Sequence, residues 1–331
     1  MESINIGNSG IESSRIGLGT WAIGGWMWGG TDEAQAIATI RTAIDREITL
    51  IDTAPAYGFG KSEEIVGKAL ETANLRSRVI IATKAGLDWN DGNPQRDSRP
   101  ARLRQELEDS LRRLRTDYID LYQIHWPDPL VPIEEVAAEL ARMRDEGKIR
   151  AIGVSNFSPR QMEVFRAVAP LHAVQPPYNL FERDIDADVL PYAARSGLTV
   201  LAYGALCRGL LSGSITRDTT FGGDDLRRTD PKFADAALRD RYLRAVAELD
   251  ALAAERFDRT VLSLAVRWVL DRGPTIALWG ARRPDQLQPI SGALDWRLDE
   301  DAMEMIDDII ELKIDRPVGP EFMAPPARMA A

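Results

Sequence analysis

Residues 121–129 read LYQIHWPDP, an apolar run that stops at His125, one of only two histidines in 331 residues. The run begins near residue 119, is rich in Ile and Leu, and lacks the strict alternation of a strand with one solvent-exposed face. It therefore predicts a strand that is buried on both faces and that ends on a side chain suited to proton transfer near neutral pH.

Similar short apolar runs recur along the whole chain, and each is followed by a segment with helical periodicity. The predicted strands occupy residues 16–19, 49–52, 79–84, 119–125, 152–155, 173–176, 198–203 and 275–278. The predicted helices occupy residues 32–45, 62–72, 100–114, 133–146, 158–168, 186–195, 235–256 and 283–293. In the third helix, Leu103, Leu107, Leu111 and Leu114 fall on one face.

Eight strand–helix units are the number found in a closed (β/α)8 TIM barrel, an α/β fold. An open doubly wound sheet is the alternative, but it usually begins with a G-x-G-x-x-G turn, and the glycines of residues 17–30 lack that spacing. We therefore predict a single barrel domain over residues 1–331. A hairpin over residues 3–16 is expected to close its base. Long loops at 204–232 and 315–331 are expected at the C-terminal face.

The composition excludes several classes of protein. A net charge of −10 and a pI near 5.0 disfavour a nucleic-acid partner. The single cysteine, Cys207, permits no intramolecular disulfide, and His125 and His172 have no metal-ligand spacing, so no metal site is expected. We see no secretory signal and no membrane span, since no stretch approaches about 18 apolar residues. The chain is expected to be a cytoplasmic monomer.

Four side chains that could carry chemistry are predicted at or just after strand ends, where barrel active sites are built. Asp52, Lys84 and His125 end three strands, and Tyr57 follows Asp52 by five residues. Because an ammonium beside a phenol favours the phenolate, Lys84 is expected to lower the pKa of Tyr57 from about 10. Asp52 would hold Lys84 in place, and His125 would orient a carbonyl oxygen. The set suits protonation of an oxygen while hydride reaches its carbon.

These residues lie within longer stretches that resemble the aldo-keto reductase family. The stretches are GLGTWAIGG (17–25), IDTAPAYGFGKSEEIVGKAL (51–70), SLRRLRTDYIDLYQIHWPD (110–128), GKIRAIGVSNFS (147–158), QPPYNLFER (175–183) and LAYGALCRGLLSG (201–213). Two stretches, LAYGALCRGLLSG and GARRPDQ (280–286), are similar to those of a bacterial branch of the family that includes general-stress-type reductases and a glycerol dehydrogenase. The resemblance implies NADP(H)-dependent, reversible reduction of aldehydes or ketones, with Asp52, Tyr57, Lys84 and His125 as catalytic residues and Tyr57 as general acid/base.

The resemblance also implies how the nicotinamide end of the cofactor is held. Ser155, Asn156 and Gln175 would bind the carboxamide, whose donors and acceptors match theirs, and Tyr203 would stack on the ring. The expected cofactor contacts are Thr20, Trp21, Asp52, Ser155, Asn156, Gln175, Tyr203, Gly204, Ala205, Leu206, Arg208, Gly209, Gly280, Arg282, Arg283 and Gln286.

The phosphates of the cofactor would lie between two loops. Arg208 would add charge near the pyrophosphate, and Arg282 and Arg283 would bind the 2′-phosphate, which favours NADP(H). Residues 210–232 are expected to fold over the cofactor. The chain departs from the pattern of many relatives at Trp279 and at residues 289–290, where the adenine contacts would lie.

Tryptophans after three of the predicted strands are expected to wall an apolar substrate pocket. The expected substrate contacts are Trp21, Tyr57, Trp89, His125 and Trp126. The alternative for the nearby Trp26 and Trp28, in GGWMWGG (24–30), is that they only pack beneath the first loop. Small polyol-related aldehydes such as glyceraldehyde fit the branch that the chain resembles.

Two other functions are compatible with parts of the pattern. One is a cofactor-binding regulatory subunit, resembling the barrel subunits of potassium channels, in which binding matters more than turnover. The other is a barrel hydrolase or aldolase with Lys84 as a Schiff base, which the neighbouring Asp52 and Tyr57 disfavour.

Overall fold

The computed structural model describes residues 1–89 and 92–328 and contains a closed barrel of parallel strands. Each strand pairs with the next along the chain, and the last pairs with the first. In chain order the barrel strands are Ile16–Gly19, Leu50–Asp52, Ile80–Ala85, Ile119–Ile124, Ile149–Ser155, Ala173–Gln175, Thr199–Ala202 and Thr275–Gly280. Every predicted strand is present, and the predicted α/β (β/α)8 TIM barrel is confirmed.

Amphipathic helices surround the barrel and cover the outer faces of its strands. The helices longer than one turn are Glu33–Asp45, Lys61–Glu71, Pro100–Leu114, Ile133–Asp145, Pro159–Arg166, Val189–Ser196, Ala236–Phe257, Val261–Asp271 and Glu300–Lys313. The leucine face predicted for Pro100–Leu114 is buried, as its helical spacing requires. A capping box between Ser158 and Gln161 fixes the start of Pro159–Arg166.

Three helical elements differ from the prediction. Val261–Asp271 was not predicted, although Ser263, Arg267 and Asp271 recur at helical spacing in a segment of which nine of the 11 residues are buried. Glu300–Lys313 was not predicted either, because it follows the eighth unit of the barrel. The segment predicted as an α-helix over 283–293 is a 3-10 helix, Pro284–Ala293, in which Pro289 has no N–H for a helical hydrogen bond.

The N-terminal hairpin closes the base of the barrel, as predicted. Strands Ser3–Asn5 and Glu12–Ser14 pair antiparallel, and Ile6 and Ile11 between them are buried against the side chains of the barrel interior. The hydroxyl of Thr199, at the start of the seventh barrel strand, accepts from the Gly7 N–H at 2.9 Å and donates to the Asn5 carbonyl at 2.8 Å. The hairpin therefore excludes water from the end of the barrel opposite the candidate site.

Three segments cover the C-terminal face of the barrel. A short hairpin pairs Leu87–Asp88 with Gln95–Arg96. The segment 204–232, predicted as a loop, contains the helical turns Cys207–Ser212, Leu226–Arg228 and Pro231–Ala234. The C-terminal tail after Glu300–Lys313 forms the turn Glu321–Met323 and pairs with the hairpin through an Arg96–Ala327 bridge. Within the described residues, no helix is both long and apolar enough to cross a membrane.

Candidate active site

Asp52, Tyr57, Lys84 and His125 lie together at the C-terminal face of the barrel. The Lys84 ammonium is fully buried and donates to both Asp52 carboxylate oxygens at 2.9 Å and to the Thr53 carbonyl at 2.9 Å. The same ammonium lies 3.3 Å from the Tyr57 hydroxyl. The side chains come from three adjacent strand ends, so the parallel pairing of the second, third and fourth strands places them side by side.

Tyr57 is positioned by a tight loop and by two aromatic rings. Its ring stacks on Trp21 at a centroid distance of 6.0 Å and meets the His125 ring edge-on at 5.8 Å. A Cβ on Gly58 would lie 2.2 Å from the Gly24 carbonyl oxygen, and Gly58 has φ 67°. Only glycine fits there, and the loop that carries Tyr57 can therefore pack directly on the loop that carries Trp21.

The expected lowering of the Tyr57 pKa is wrong for the protein alone. Burial, followed by the charge of Asp52, raises the pKa of Tyr57 well above its ordinary value of 10.0. The Lys84 charge is largely balanced because its ammonium is held by both Asp52 oxygens, so it does not reverse the effect of burial. The phenol is therefore protonated at neutral pH, which is the form that donates a proton.

His125 is neutral in this environment. Burial, followed by the charge of Lys84, holds the pKa of His125 well below its ordinary value of 6.5. Burial also lowers the pKa of Lys84, although Asp52 and then Glu63 oppose that effect. A neutral imidazole beside a protonated phenol can offer one N–H to an oxygen that also accepts from Tyr57.

The mouth of the site is a cavity of about 450 Å³, here called the aromatic cavity. Four of the five expected substrate contacts line it: Trp21, Tyr57, His125 and Trp126. Part of the C-terminal tail lines it too. Trp89 does not line it, contrary to the prediction, because its ring packs near Phe59 and Arg102. Trp26 also lines the cavity, so it does not only pack beneath the first loop. Ser155, Asn156, Gln175 and Tyr203 lie at its floor.

A second cavity of about 190 Å³, here called the arginine cavity, adjoins the first at Trp21, Tyr57 and Tyr203. The expected cofactor residues that line it are Trp21, Asp52, Tyr203, Gly204, Ala205, Leu206, Arg208, Gly209, Gly280, Arg282 and Gln286. Thr20 lines neither cavity, since its hydroxyl donates to the Asp52 carbonyl at 2.8 Å.

Arg208 differs from its expected role. It borders the arginine cavity, but its guanidinium is buried and donates to Glu182 and to Asp230, each at 2.6 Å. Lys232 donates to the same Glu182 oxygen at 2.8 Å. The charge of Arg208 is thus balanced inside the protein, and its side chain is not available as a free cation for a pyrophosphate.

Arg283 also differs from its expected role. Its side chain is exposed, pairs with Asp285 at 3.1 Å, and lines neither cavity. Arg282 is half-buried, donates to the Trp28 carbonyl at 2.7 Å and lines the arginine cavity. The Gln286 side chain accepts from the backbone N–H of Arg282 at 2.8 Å and fixes this turn.

From the sequence alone we did not predict that Arg227 lies at the site, nor the contact between the segment 204–232 and the first loop that places it there. Asp224 accepts from the backbone N–H groups of Met27 at 2.8 Å and Gly29 at 2.9 Å, so the segment 204–232 rests on the first loop. Arg227 then lines the arginine cavity, 5.1 Å above the Trp28 ring. The adjacent arginines Arg227 and Arg228, in RRTDP (227–231), are a signal in the sequence, but only the folded contact selects Arg227.

Comparison with known proteins places this geometry in a family. The model of the aldo/keto reductase family matches residues 15–311. The aldo-keto reductase YhdN of Bacillus subtilis (strain 168) is 60% identical over 99% of both chains. The NADH-specific methylglyoxal reductase of Escherichia coli (strain K12) is 37% identical over 92% of this chain and 97% of its own.

Solved structures agree with the sequence relatives. The glycerol dehydrogenase AKR11B4 from Gluconobacter oxydans has a TM-score of 0.87 and 54% identity, over 97% of this chain and 99% of its own. The holo form of aldo-keto reductase AKR11C1 from Bacillus halodurans has a TM-score of 0.77 and 26% identity, over 93% and 96%. The chain, an oxidoreductase of the bacterial branch that its sequence resembles, belongs to the aldo/keto reductase family.

Proposed function

We propose that this protein is an NADP(H)-dependent oxidoreductase that reversibly reduces aldehydes or ketones, with Tyr57 as general acid and base. The observation that carries the proposal is the buried ammonium of Lys84, which contacts Asp52 at 2.9 Å and lies 3.3 Å from the hydroxyl of Tyr57, a residue that lines the aromatic cavity. Acid–base catalysis needs a proton donor within reach of the reacting oxygen, and the Tyr57 hydroxyl occupies that place.

In reduction, the Tyr57 phenol donates its proton to the carbonyl oxygen of the substrate. Neutral His125 donates an N–H to the same oxygen and directs it toward the phenol. Lys84, held by Asp52, stabilises the phenolate that remains, because its ammonium lies 3.3 Å from the phenolic oxygen. In oxidation, the phenolate accepts the proton of the alcohol. The bound nicotinamide supplies or receives the hydride.

The residues along both cavities fit a dinucleotide phosphate. Ser155, Asn156 and Gln175 would hold the nicotinamide carboxamide, and Tyr203 would stack on the ring. Residues 207–209 have φ values of 45°, 54° and 94°, and the N–H groups of Cys207 and Gly209 donate to the Gly204 and Leu206 carbonyls, so this tight turn forms the edge of the arginine cavity along which a pyrophosphate would lie. Arg282 would bind the 2′-phosphate, and Arg227, which is already paired with Asp225 at 2.6 Å, would lie beside it; the Arg282 contact supports NADP(H) over NAD(H) in this chain.

The lining of the aromatic cavity indicates an uncharged substrate. None of its described lining residues is Asp, Glu, Lys or Arg, and its polar side chains are amides, hydroxyls and the imidazole. A carboxylate or phosphate on the substrate would lose its hydration there without gaining a counter-ion. We propose neutral aldehydes and ketones, among them polyol-related compounds such as glyceraldehyde, in keeping with the glycerol dehydrogenase relative.

The test is NADPH consumption with a small aldehyde in the native protein and in Tyr57→Phe. The variant keeps the ring and removes the proton donor, so we expect turnover to fall by about 10³-fold with little change in NADPH affinity. Tyr118→Phe, at the other end of the fourth barrel strand, is the matched control and is expected to keep full activity.

Two outcomes would contradict the proposal. Equal turnover in native protein and Tyr57→Phe would show that another group supplies the proton. If the native protein bound NADPH tightly and reduced no aldehyde or ketone, a regulatory subunit would be the better description.

A further inference from the structure

The outer wall of the aromatic cavity is built from segments that are far apart in the sequence. The hairpin of Leu87–Asp88 and Gln95–Arg96, the Trp126 loop and the tail near Met323 each contribute to the lining. None of them belongs to the barrel strands. Their relative positions therefore depend on the Arg96–Ala327 bridge and on side-chain contacts between them, since no strand pairing of the barrel holds them.

Arg96 connects the three segments. It belongs to the hairpin, and its guanidinium donates to the Pro325 carbonyl of the tail at 2.8 Å and to the Pro127 carbonyl at 3.1 Å. The same guanidinium lies 5.2 Å from the centroid of the Trp126 ring. Its backbone N–H adds a hydrogen bond to the Pro326 carbonyl at 2.9 Å.

The hydrogen bonds of the Arg96 side chain go to backbone carbonyls, and its carboxylate neighbours are bound elsewhere. Asp97 pairs with the Arg99 side chain at 2.8 Å. Asp128 accepts from the Ser98 N–H at 3.0 Å and from the tail residue Arg328. This arrangement depends on the shape of a guanidinium. Its N–H donors reach the Pro325 and Pro127 carbonyls in different directions, while its flat face lies over the Trp126 ring.

We propose that Arg96 is a positioning residue that sets the width of the aromatic cavity and thereby selects carbonyl substrates by size. Arg328 pairs with Asp128 farther along the tail, and Arg96 binds the tail and the Trp126 loop together beside the cavity, so Arg96 holds the outer wall at a fixed distance from Tyr57 and His125. Only substrates large enough to reach that wall depend on it. The inference rests on the proposed reductase function and names the part of the same site that governs substrate selection.

The test compares Arg96→Met with the native protein on two aldehydes, acetaldehyde and benzaldehyde. Acetaldehyde is small enough to occupy only the floor of the cavity, whereas the ring of benzaldehyde extends toward the wall. We expect the variant to raise KM for benzaldehyde by about 10-fold, and to change KM for acetaldehyde and both kcat values by less than about 2-fold. The reason is that losing contact with the outer wall weakens the binding of benzaldehyde but leaves the proton donor, Tyr57, in place.

Two further variants separate this role from a general effect on folding. Arg99→Met removes a neighbouring, largely exposed arginine that pairs with Asp97, and it should leave both aldehydes unchanged. Arg96→Lys keeps the charge but has neither the fork nor the flat face, so it should reproduce the effect of Arg96→Met. It also provides the measurement if the methionine variant fails to fold.

A second readout does not depend on activity. Phe322 of the tail is 43% exposed, and chymotrypsin can cleave after it once the tail detaches. We expect cleavage at Phe322, followed as release of the C-terminal fragment by mass spectrometry, to be about 10-fold faster in Arg96→Met and unchanged in Arg99→Met.

The outcomes distinguish the two proposals. Turnover in the native protein with equal KM changes for both aldehydes, or with none, would overturn the role of Arg96 and leave the reductase function standing. Absence of turnover in the native protein would overturn the reductase function and this inference together, even if Arg96→Met still released the tail.

Discussion

Arg282 and Arg283 are adjacent in the sequence, but the fold gives them different surroundings. Arg282 lines the arginine cavity beside Arg227, whereas Arg283 is exposed and paired with Asp285. Burial, followed by the charge of Arg227, lowers the pKa of Arg282 from its ordinary value. Asp225, which pairs with Arg227 at 2.6 Å, only partly opposes this effect, and a dianion bound at Arg282 would favour its charged form.

We therefore predict that Arg282→Gln reduces the preference for NADPH. A hydrogen bond to a charged group contributes about 1.5–3 kcal/mol, so the Kd for NADPH should rise by about 10-fold or more. The Kd for NADH should change by less than about 2-fold, because NADH has no 2′-phosphate. Fluorescence titration of both cofactors measures this. Arg283→Gln is the matched control, and a larger effect from Arg283→Gln than from Arg282→Gln would contradict the assignment.

At the scale of elements, a buried ionic cluster fastens the segment 204–232 to the loop after the sixth barrel strand. Glu182 of that loop accepts from Arg208 and Lys232, and Asp230 also accepts from Arg208. Burial alone would raise the pKa of Glu182, but Arg208 and Lys232 outweigh it, so the pKa of Glu182 lies below its ordinary value of 4.5. The segment is thus held near both ends, at Arg208 and at Asp230 and Lys232, by this cluster, and at Asp224 by the first loop.

Glu182→Gln should destabilise the protein by about 3 kcal/mol, because breaking a buried ion pair leaves uncompensated positive charge. The native contribution of Glu182 is fully present above its unfolded pKa near 4.5 and is lost as pH falls through the lower folded pKa. Urea unfolding at pH 7 and at pH 4 measures both effects, and the difference between native protein and variant should shrink at the lower pH.

The control for this prediction is Glu108→Gln, which removes a surface pair with Lys148. Exposed ion pairs contribute little to stability, so the free energy of unfolding of Glu108→Gln should differ from that of the native protein by less than about 1 kcal/mol. If Glu182→Gln were as mild as Glu108→Gln, the cluster would not be what holds the segment.

At the scale of the whole molecule, the two ends of the barrel have separate tasks. The hairpin at the base supplies apolar side chains that complete the barrel interior. The C-terminal face carries both cavities and the tetrad of Asp52, Tyr57, Lys84 and His125. This division is usual for the fold, in which stability resides at the N-terminal face and chemistry at the other.

Ile6→Ala should therefore lower stability without altering catalysis. Ile6 is fully buried, and removing a buried isoleucine side chain costs about 2–5 kcal/mol. Ile4→Ala, on the partly buried side of the same hairpin, should cost clearly less. Chemical unfolding measures the stabilities, and kcat per folded molecule should match the native value in both variants. A fall in kcat for Ile6→Ala at full folding would contradict the separation of the two ends.

Much of this molecule could be predicted from local sequence. All eight barrel strands and most helices follow from apolar runs and periodicity, and the tetrad follows from polar residues at strand ends. The exceptions have local causes too. Val261–Asp271 is largely buried, and its polar residues Ser263, Arg267 and Asp271 are few, whereas Pro289 inside Pro284–Ala293 cannot donate a helical hydrogen bond.

The sequence by itself determined the barrel, the side-by-side placement of Asp52, Tyr57, Lys84 and His125, and membership of the family. The physical reason is that parallel strands bring their C-terminal ends to one face, whatever the loops do. Only the tertiary structure decided that the pKa of Tyr57 is raised and that Trp26, rather than Trp89, lines the aromatic cavity. It alone also decided which groups Arg96 and Arg208 contact. Those properties depend on burial and on partners up to hundreds of residues away, which no local pattern encodes.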